Sequence, residues 1–440
     1  MKKIFKKVVV AVLLWEAKLV LWKYRPKIIA ITGSVGKTST KDAIFNVLKD
    51  SVAARKSEKS FNSEIGVPLT ILGLQNAWSN PFLWVKNFLK GLKIIIFRTP
   101  YPKVLVLEIG VGVPGDMERI TRIVKPDMVV LTHLAKVPVH VEFFGTPEKV
   151  YEEKGKLIEA LKEDGLFLVC GDDKRAFAMR KLTKARCLPY GFDPEKNFMV
   201  GSSPEILYEK RLGGLRAPSG LLFRVDYEGT SLPVRIYGTL GRQNMYSALA
   251  AMLCGVSMNL NIVEITERFR DYRAPAGRMR IIEGVKNSTI IDDSYNSSPA
   301  AVRALFETME AVETEGRKIA VLGDMLELGQ YSQEEHRKVG KAAAGIFDFL
   351  VTIGKRARDI AEGALDEKMD EKKILQFEES RAAGLFLQNM ISRGDVIAVK
   401  GSQGSGANAI RTEKTVLEIM AHPEERKKLL VRQDREWEDR

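Results

Sequence analysis

The sequence predicts an α/β protein in two parts: a P-loop-type central domain with a mainly parallel sheet, and a C-terminal Rossmann-like α/β domain. Three observations carry this. Short apolar runs alternate with segments of helical spacing, as parallel strands and their crossover helices do. The first of these runs enters a glycine-rich turn that leads into a helix. The rhythm breaks over residues 186–238 and restarts near residue 275. A chain of 440 residues, 45% apolar and 28% charged, can bury two or three such cores and is not disordered, collagenous or coiled-coil in composition. The expected division is 1–26, a basic amphipathic segment, then 27–272 and 273–440.

The first 27 residues hold eight basic side chains against Glu16 alone, more than half of the net charge of +13. A nucleic-acid binder spreads its charge over a folded face, so no nucleic-acid partner is expected. Within residues 4–22 the longest uncharged run is Val8–Trp15, far short of the roughly 20 residues a spanning helix needs. No small-residue cleavage site follows it. Trp15 and Trp22 fall on one side of a helix with lysines at both ends, which suits a membrane surface. Packing on the protein's own core is the alternative.

Residues 78–98 give a second such stretch. Pro81 opens a helix, Trp84, Phe88 and Leu92 recur every four residues, and Lys86, Lys90 and Lys93 interleave. An ordinary amphipathic helix on a sheet would read the same way. The three cysteines, Cys170, Cys187 and Cys254, form no CxxC, so neither a disulfide framework nor a cysteine zinc site is expected, and a reducing cytoplasm fits.

Strands are expected at Lys27–Thr32, Val104–Ile109 and Met128–Thr132. Leu222–Tyr227 and Leu232–Tyr237 alternate like antiparallel partners around Glu228–Thr230. The second part contributes Thr289–Asp293, Lys318–Leu322, Phe349–Ile353 and Val396–Lys400. The last 20 residues carry six basic and six acidic side chains and read as a helix with a frayed end. His336 and His422 are expected to be surface or structural residues.

Gly33-Ser34-Val35-Gly36-Lys37-Thr38-Ser39 follows a strand and opens a helix over Lys41–Leu48. This is a shortened Walker A turn. Its glycines let backbone N–H groups close around phosphate oxygens, and the helix N-terminus adds a positive dipole. Lys37 would reach the terminal phosphates of a nucleotide, and the Thr38 hydroxyl would ligate Mg²⁺. Glu108 ends a strand, at the edge where open sheets bind ligands. His140 follows the next strand by a loop, and Lys154 lies in a helical segment beyond. One carboxylate and one histidine could hold Mg²⁺ or Mn²⁺ beside a phosphate. On spacing alone, the histidine and the lysine also read as ordinary surface residues.

Taken in order, the motifs resemble the Mur ligase family. They are TGSVGKTST, Phe61-Asn62-Ser63-Glu64-Ile65-Gly66-Val67-Pro68, the Glu108-Ile109-Gly110 turn running to Asp116, His140 with Lys154, Gly241-Arg242-Gln243-Asn244, Gly277-Arg278, Asp292-Asp293-Ser294-Tyr295-Asn296, the LGDMLELG phrase and Lys400-Gly401-Ser402. The match spans about residues 27–420, and DDSYN and LGDMLELG resemble the D-alanyl-D-alanine-adding branch.

The resemblance implies an ATP-dependent, Mg²⁺-requiring amide ligase of peptidoglycan synthesis. Such an enzyme phosphorylates a muramoyl-peptide carboxylate and lets an amino acid or dipeptide amine displace the phosphate. It implies a carbamate on Lys154 that bridges to magnesium, with Thr38, Glu108 and His140 also serving the metal. Asn244 would face the adenine, Arg278 the phosphates and Asp293 the nucleotide across the cleft. Tyr295 and Asn296 would touch substrate. Departures from the family pattern are Gln243 for a usual His, Ser247 for a usual Asn, His133 where Asn is common and Gln403 for an expected Arg. Only 26 residues precede the first strand, so the family's UDP-holding N-terminal domain is expected to be missing. That, with the basic apolar segments, suggests a lipid-linked acceptor; the protein is also expected to be a monomer in the cytoplasm, peripheral on the inner face of the plasma membrane. A polyglutamate-type ligase or a non-ligase P-loop ATPase is the competing reading.

Overall fold

The computed structural model describes residues 3–58, 61–78, 80–403, 410–434 and 437. Lys2 of the basic leader, Ser79 and residues 435, 436 and 438–440 of the charged tail lie outside them. Among the described residues the strands form two sheets. The first contains β1 (Lys27–Thr32), β2 (Ala54–Lys56), β3 (Val104–Glu108), β4 (Met128–Leu131), β5 (Leu166–Cys170), β6 (Arg186–Gly191), β7 (Met199–Lys210), β8 (Arg216–Tyr227) and β9 (Thr230–Tyr237). Their order is β2-β3-β1-β4-β5-β6-β7-β8-β9, parallel as far as β7 and antiparallel across β7-β8-β9. The second contains β10 (Arg280–Gly284), β11 (Ser288–Asp293), β12 (Lys318–Gly323), β13 (Phe349–Ile353), β14 (Ile374–Phe377) and β15 (Val396–Lys400). Its order is β10-β11-β15-β12-β13-β14, with only β10 antiparallel.

The first sheet is covered on both faces, which is why its strands are continuous apolar runs. Ile29 and Ile31 of β1 enter one hydrophobic cluster together with Val104, Val106 and Val130. Ile28 and Ala30 enter the opposite one with Leu105, Leu107 and Val129. Side chains that alternate along a strand must point to opposite faces. The first cluster continues past Leu249 and Ala250 to Val302 and Leu322, so packing crosses from one sheet to the other.

Helices fill the crossovers. In the first half they are α1 (Lys3–Tyr24), α2 (Lys37–Leu48), α3 (Gly66–Leu72), α4 (Pro81–Ile96), α5 (Asp116–Thr121), α6 (Val141–Phe144), α7 (Pro147–Glu159), α8 (Lys174–Ala178) and α9 (Arg242–Val256). Pro81 does open a helix: Asn80 caps it by accepting from the Leu83 N–H, 3.1 Å away. Of the two readings of its stripe, the amphipathic helix packed on the sheet holds, because Trp84 is fully buried and Phe88 half-buried. The indole of Trp84 donates to the Trp78 carbonyl at 3.0 Å, so the every-fourth-residue stripe is the inward face. The leader helix α1 likewise buries Val9, Leu13, Ala17 and Val20 in the second cluster while Trp15 and Trp22 stay exposed.

Over its described residues 421–434 the charged tail is not one helix. A 3-10 turn at Pro423–Glu425 leads into a helical turn at Arg426–Leu429, and Arg432 then binds Glu413 and the carbonyls of Ser294 and Tyr295. That ion pair is buried and pins the segment against the second sheet. His336 is structural, as expected. Its Nε2 accepts from the Met325 N–H at 2.9 Å, its Nδ1 lies 2.6 Å from the Ser332 carbonyl, and burial pushes its pKa down. His422 is exposed.

Candidate active site

The turn after β1 is held in shape by its glycines. Gly33 and Gly36 have φ of +145° and +86°, and a Cβ on Gly33 would lie 1.9 Å from Thr132 Oγ1. The carbonyl of His133, just beyond β4, accepts from the Ser34 N–H at 2.7 Å, and Val35 bridges to the same residue. Lys37 curls back over the turn, donating to the Gly33 carbonyl at 3.0 Å. Burial pushes its amine pKa down, Glu108 opposes this and Arg278 adds to it. Ser34 Oγ is buried without a partner. Ser39 is buried, and its carbonyl accepts from the Tyr272 hydroxyl at 3.2 Å.

A cavity of about 210 Å³ opens over this turn. Its lining includes Gly33, Ser34, Lys37, Asn62, His140 and Lys154. Lys154 on α7 is buried here and not on the surface. Its pKa is pushed well down, first by burial and then by the charge of Lys37, with Glu153 opposing. A neutral amine is the form that reacts with an electrophile such as CO₂. Glu108, at the end of β3, is almost wholly buried and does not line the cavity, though its charge acts on Lys37. One of its oxygens accepts from Asn62 Nδ2 at 3.0 Å and the other, Oε2, has no partner.

That orphaned oxygen bears on magnesium. Among the described residues no group of three or more His, Cys, Asp or Glu is placed to hold a metal ion by itself. Mg²⁺ commonly keeps waters and takes only one or two carboxylates beside substrate phosphates. A buried carboxylate oxygen without a proton donor, close enough to the phosphate-binding turn for its charge to act on Lys37, fits such a site. His140 sits at the cavity with φ +70°, and its Nδ1 lies 2.7 Å from Glu327 Oε2 of the LGDMLELG loop. Its imidazole therefore meets a carboxylate from the second sheet's side, not a shared ligand set with Glu108.

The junction between the sheets brings Arg278 onto the turn. Gly277 has φ +67°, and a Cβ there would lie 2.8 Å from the Tyr295 nitrogen. Arg278 lays its guanidinium 4.1 Å from the centre of the Tyr295 ring and donates to Thr38 Oγ1 at 3.2 Å. It is the side chain that joins the junction to the phosphate turn. Asn244 is buried at the start of α9, where its Nδ2 donates to Leu240 O at 2.7 Å and Thr239 Oγ1 at 2.9 Å. Its Oδ1 is left without a partner, so one acceptor remains there. Ser247 accepts from Thr40 at 3.1 Å, tying α9 to α2.

Asp293 differs from expectation. Its carboxylate is bound to buried Lys400 and is not open to the cleft. Burial pushes the carboxyl up and the Lys400 amine down, each opposed by the other's charge. Lys400 also donates to the Asn296 carbonyl at 3.0 Å, and Asn296 Oδ1 lies 3.4 Å from the Gln403 N–H. Tyr295 and Gln403 face a cavity of about 570 Å³, whose walls also include Thr38, Phe61, Trp78, Arg278 and Arg432. His133 pairs with Asp173 at 3.6 Å and meets the Tyr246 ring edge-on. Burial would lower its pKa, but Asp173 and Cys170 outweigh it and hold it up at about 10.

Two family models match this chain, the Mur ligase middle domain over residues 31–83 and 90–255 and the Mur ligase glutamate ligase domain over 277–403. The chain belongs to the Mur ligase family. Among curated relatives, the UDP-N-acetylmuramoyl-tripeptide–D-alanyl-D-alanine ligase of Bacillus subtilis is 26% identical over 408 residues, 92% of this chain and 79% of the relative. The Escherichia coli protein of the same name is 26% identical over 390 residues, covering 87% and 76%. Among solved structures, the MurF ligase of Thermotoga maritima in complex with ADP gives a TM-score of 0.74 at 24% identity, covering 95% of this chain and 84% of that one. A pseudomurein peptide ligase type C from Methanothermus fervidus gives 0.60 at 18%, covering 91% and 80%. This Mur ligase thus shares its two-sheet fold with both.

Two partners at the site were not assigned from sequence. Asn62 sat inside a quoted motif without a role, and Glu327 inside another. Each acts on a residue distant in the chain.

Proposed function

We propose that this Mur ligase uses ATP to join an amine, D-alanyl-D-alanine first among candidates, to the carboxylate of a muramoyl peptide. The observation that carries this is the placing of Lys37, Lys154 and His140 around one small cavity over the phosphate turn, with Arg278 reaching Thr38 from the domain junction. A switch ATPase would need no second buried lysine at the same cavity as its phosphate lysine.

The chemistry follows from charge. An acceptor carboxylate oxygen attacks the γ-phosphorus, the bond to the β-phosphate oxygen breaks, and ADP leaves. Both reactants are anionic, so Lys37 and Arg278 act by offsetting charge at the transferred group. The amine nitrogen then attacks the acyl carbon, loses a proton, and inorganic phosphate departs. Thr38, Glu108 and Lys154 in carbamate form would hold Mg²⁺, which supplies charge neutralisation at the phosphates. His140 would join them once released from Glu327. The Asn244 Oδ1 is the acceptor offered to an adenine amino group. Asp293 serves by fixing Lys400, Tyr295 lines the substrate side, and Asn296 acts from behind it through Lys400 and Gln403.

No helix of the described residues is long and apolar enough to cross a membrane. We place the enzyme as a monomer at the cytoplasmic membrane surface, with a lipid-linked muramoyl peptide as the second candidate acceptor. The test is phosphate release from ATP, with the joined product weighed by mass spectrometry. Release that requires both acceptor and D-alanyl-D-alanine supports the ligase, and release indifferent to the amine rejects it. A muramoyl peptide accepted only when UDP-linked, and ignored when lipid-linked, removes the second acceptor.

A further inference from the structure

Helices α1 and α4 lie against each other on one side of the first sheet. Glu16 of α1 sits under Gly91 of α4, where an added Cβ would meet its carboxylate at 2.2 Å. Near the helix ends, Lys23 donates to the Ile94 and Ile95 carbonyls at 2.9 and 2.8 Å. Each helix turns one face to the core and leaves the other uncovered. On α4 the outward residues are Phe82, Val85, Lys86, Leu89, Lys90, Lys93 and Ile96, and Phe82 is 83% exposed. On α1 they include Ile4, Lys7, Val8, Trp15, Lys18 and Trp22, with Trp22 72% exposed. Neither outward face carries an Asp or Glu, because the one acid of α1, Glu16, is turned inward.

From this pattern we propose that the paired outward faces of α1 and α4 are a docking surface for an anionic lipid bilayer. Large apolar side chains alternating with lysines match the boundary between acyl chains and headgroups, and the tryptophans suit the same depth. A second copy of the chain fits poorly. A two-fold interface would set these lysines against one another with no acid to pair them. The proposal deepens the membrane placement above but does not rest on the ligase reading, since its test uses no substrate.

The surface also adjoins the substrate cleft. Asn87 and Trp84 of α4 hold the carbonyls of Gln75 and Trp78 at 2.9 and 3.0 Å. Those two residues line a cavity of about 560 Å³ that shares Phe61 and Trp78 with the cleft at Thr38. A bilayer under α4 therefore lies next to the wall of that cleft.

The experiment is co-sedimentation of the full chain with vesicles of phosphatidylcholine alone or with 30% phosphatidylglycerol. The anionic vesicles should pellet the protein at least tenfold more effectively at 0.1 M salt, and much of this should be lost at 0.5 M. K86E/K90E/K93E should cut binding at least tenfold with an unchanged melting temperature. W15F/W22F should remove most of the quenching of tryptophan fluorescence by brominated lipid. Equal binding to neutral and anionic vesicles, no binding, or unaltered binding by K86E/K90E/K93E overturns the proposal. So does a finding that L89S abolishes self-association while lipid binding is untouched, which would make the face a protein interface.

Discussion

Lys37 and Lys154 face the same small cavity, and burial depresses both amines. Their roles separate under mutation. Lys37→Ala removes charge at the transferred phosphate and should lower turnover by about 10²–10³-fold or more, read as phosphate release at saturating ATP. Lys154→Ala should also cut turnover sharply, yet recover in part when small carboxylates such as acetate are added, because they can occupy the place of the carbamate proposed there. Full activity of Lys154→Ala would remove its metal-bridging role. The phosphate turn was legible in sequence because two glycines, a lysine and a threonine act through local backbone geometry. Lys154 was legible only through family resemblance, since nothing in its helical spacing distinguishes it from a solvated lysine. Glu327 was not legible at all, because its contact with His140 is made by two loops that strands β5 to β12 separate along the chain.

The helices show where periodicity helps and where it misleads. Trp84, Phe88 and Leu92 do mark one face of α4, but that face is buried, and the exposed apolar residues fall between them. A period identifies a face without saying what covers it. The leader helix carries a similar lesson, since Glu16, alone among basic residues, is buried with both oxygens lacking partners. Burial raises its pKa to about 7. A carboxyl raised in this way costs nothing below its unfolded value near 4.5, costs progressively more as pH rises to about 7, and costs a constant amount above that. Glu16→Gln should therefore raise stability at pH 8, by on the order of 1–3 kcal/mol, and change it little at pH 4.5. Chemical denaturation at the two pH values checks this, and an equal shift at both would remove the charge from the explanation. Leu13→Ala, deep in the same packing, should cost about 2–5 kcal/mol at either pH.

At the scale of the molecule, the site is assembled by the two sheets together. Arg278 crosses to Thr38, and the LGDMLELG loop brings Glu327 to His140 and sets Gly329 against Glu142. A Cβ on Gly329, at φ +53°, would lie 2.9 Å from that of Glu142. Gly329→Leu should wedge the halves apart and reduce turnover about 10–100-fold while nucleotide binding, followed by calorimetry, is retained. The parallel strands β1, β3, β4, β11, β12, β13 and β15 were legible because buried strands are continuous apolar runs, whereas β5, β6 and β7 were not expected, although β5 is such a run. The short edge strands β2 and β14 were not: β2 has one apolar residue, Ala54, and β14, though apolar at Ile374, Leu375 and Phe377, is only four residues long. The tail was misread because balanced charge suggests a solvated helix, whereas Arg432 is drawn into a buried pair with Glu413. The central claim is that the acceptor's own carboxylate takes the phosphoryl group. It is tested most directly with an acceptor whose carboxylate oxygens are ¹⁸O. The account predicts one labelled oxygen in the phosphate released for each amide formed, and unlabelled phosphate accompanying amide formation would contradict it.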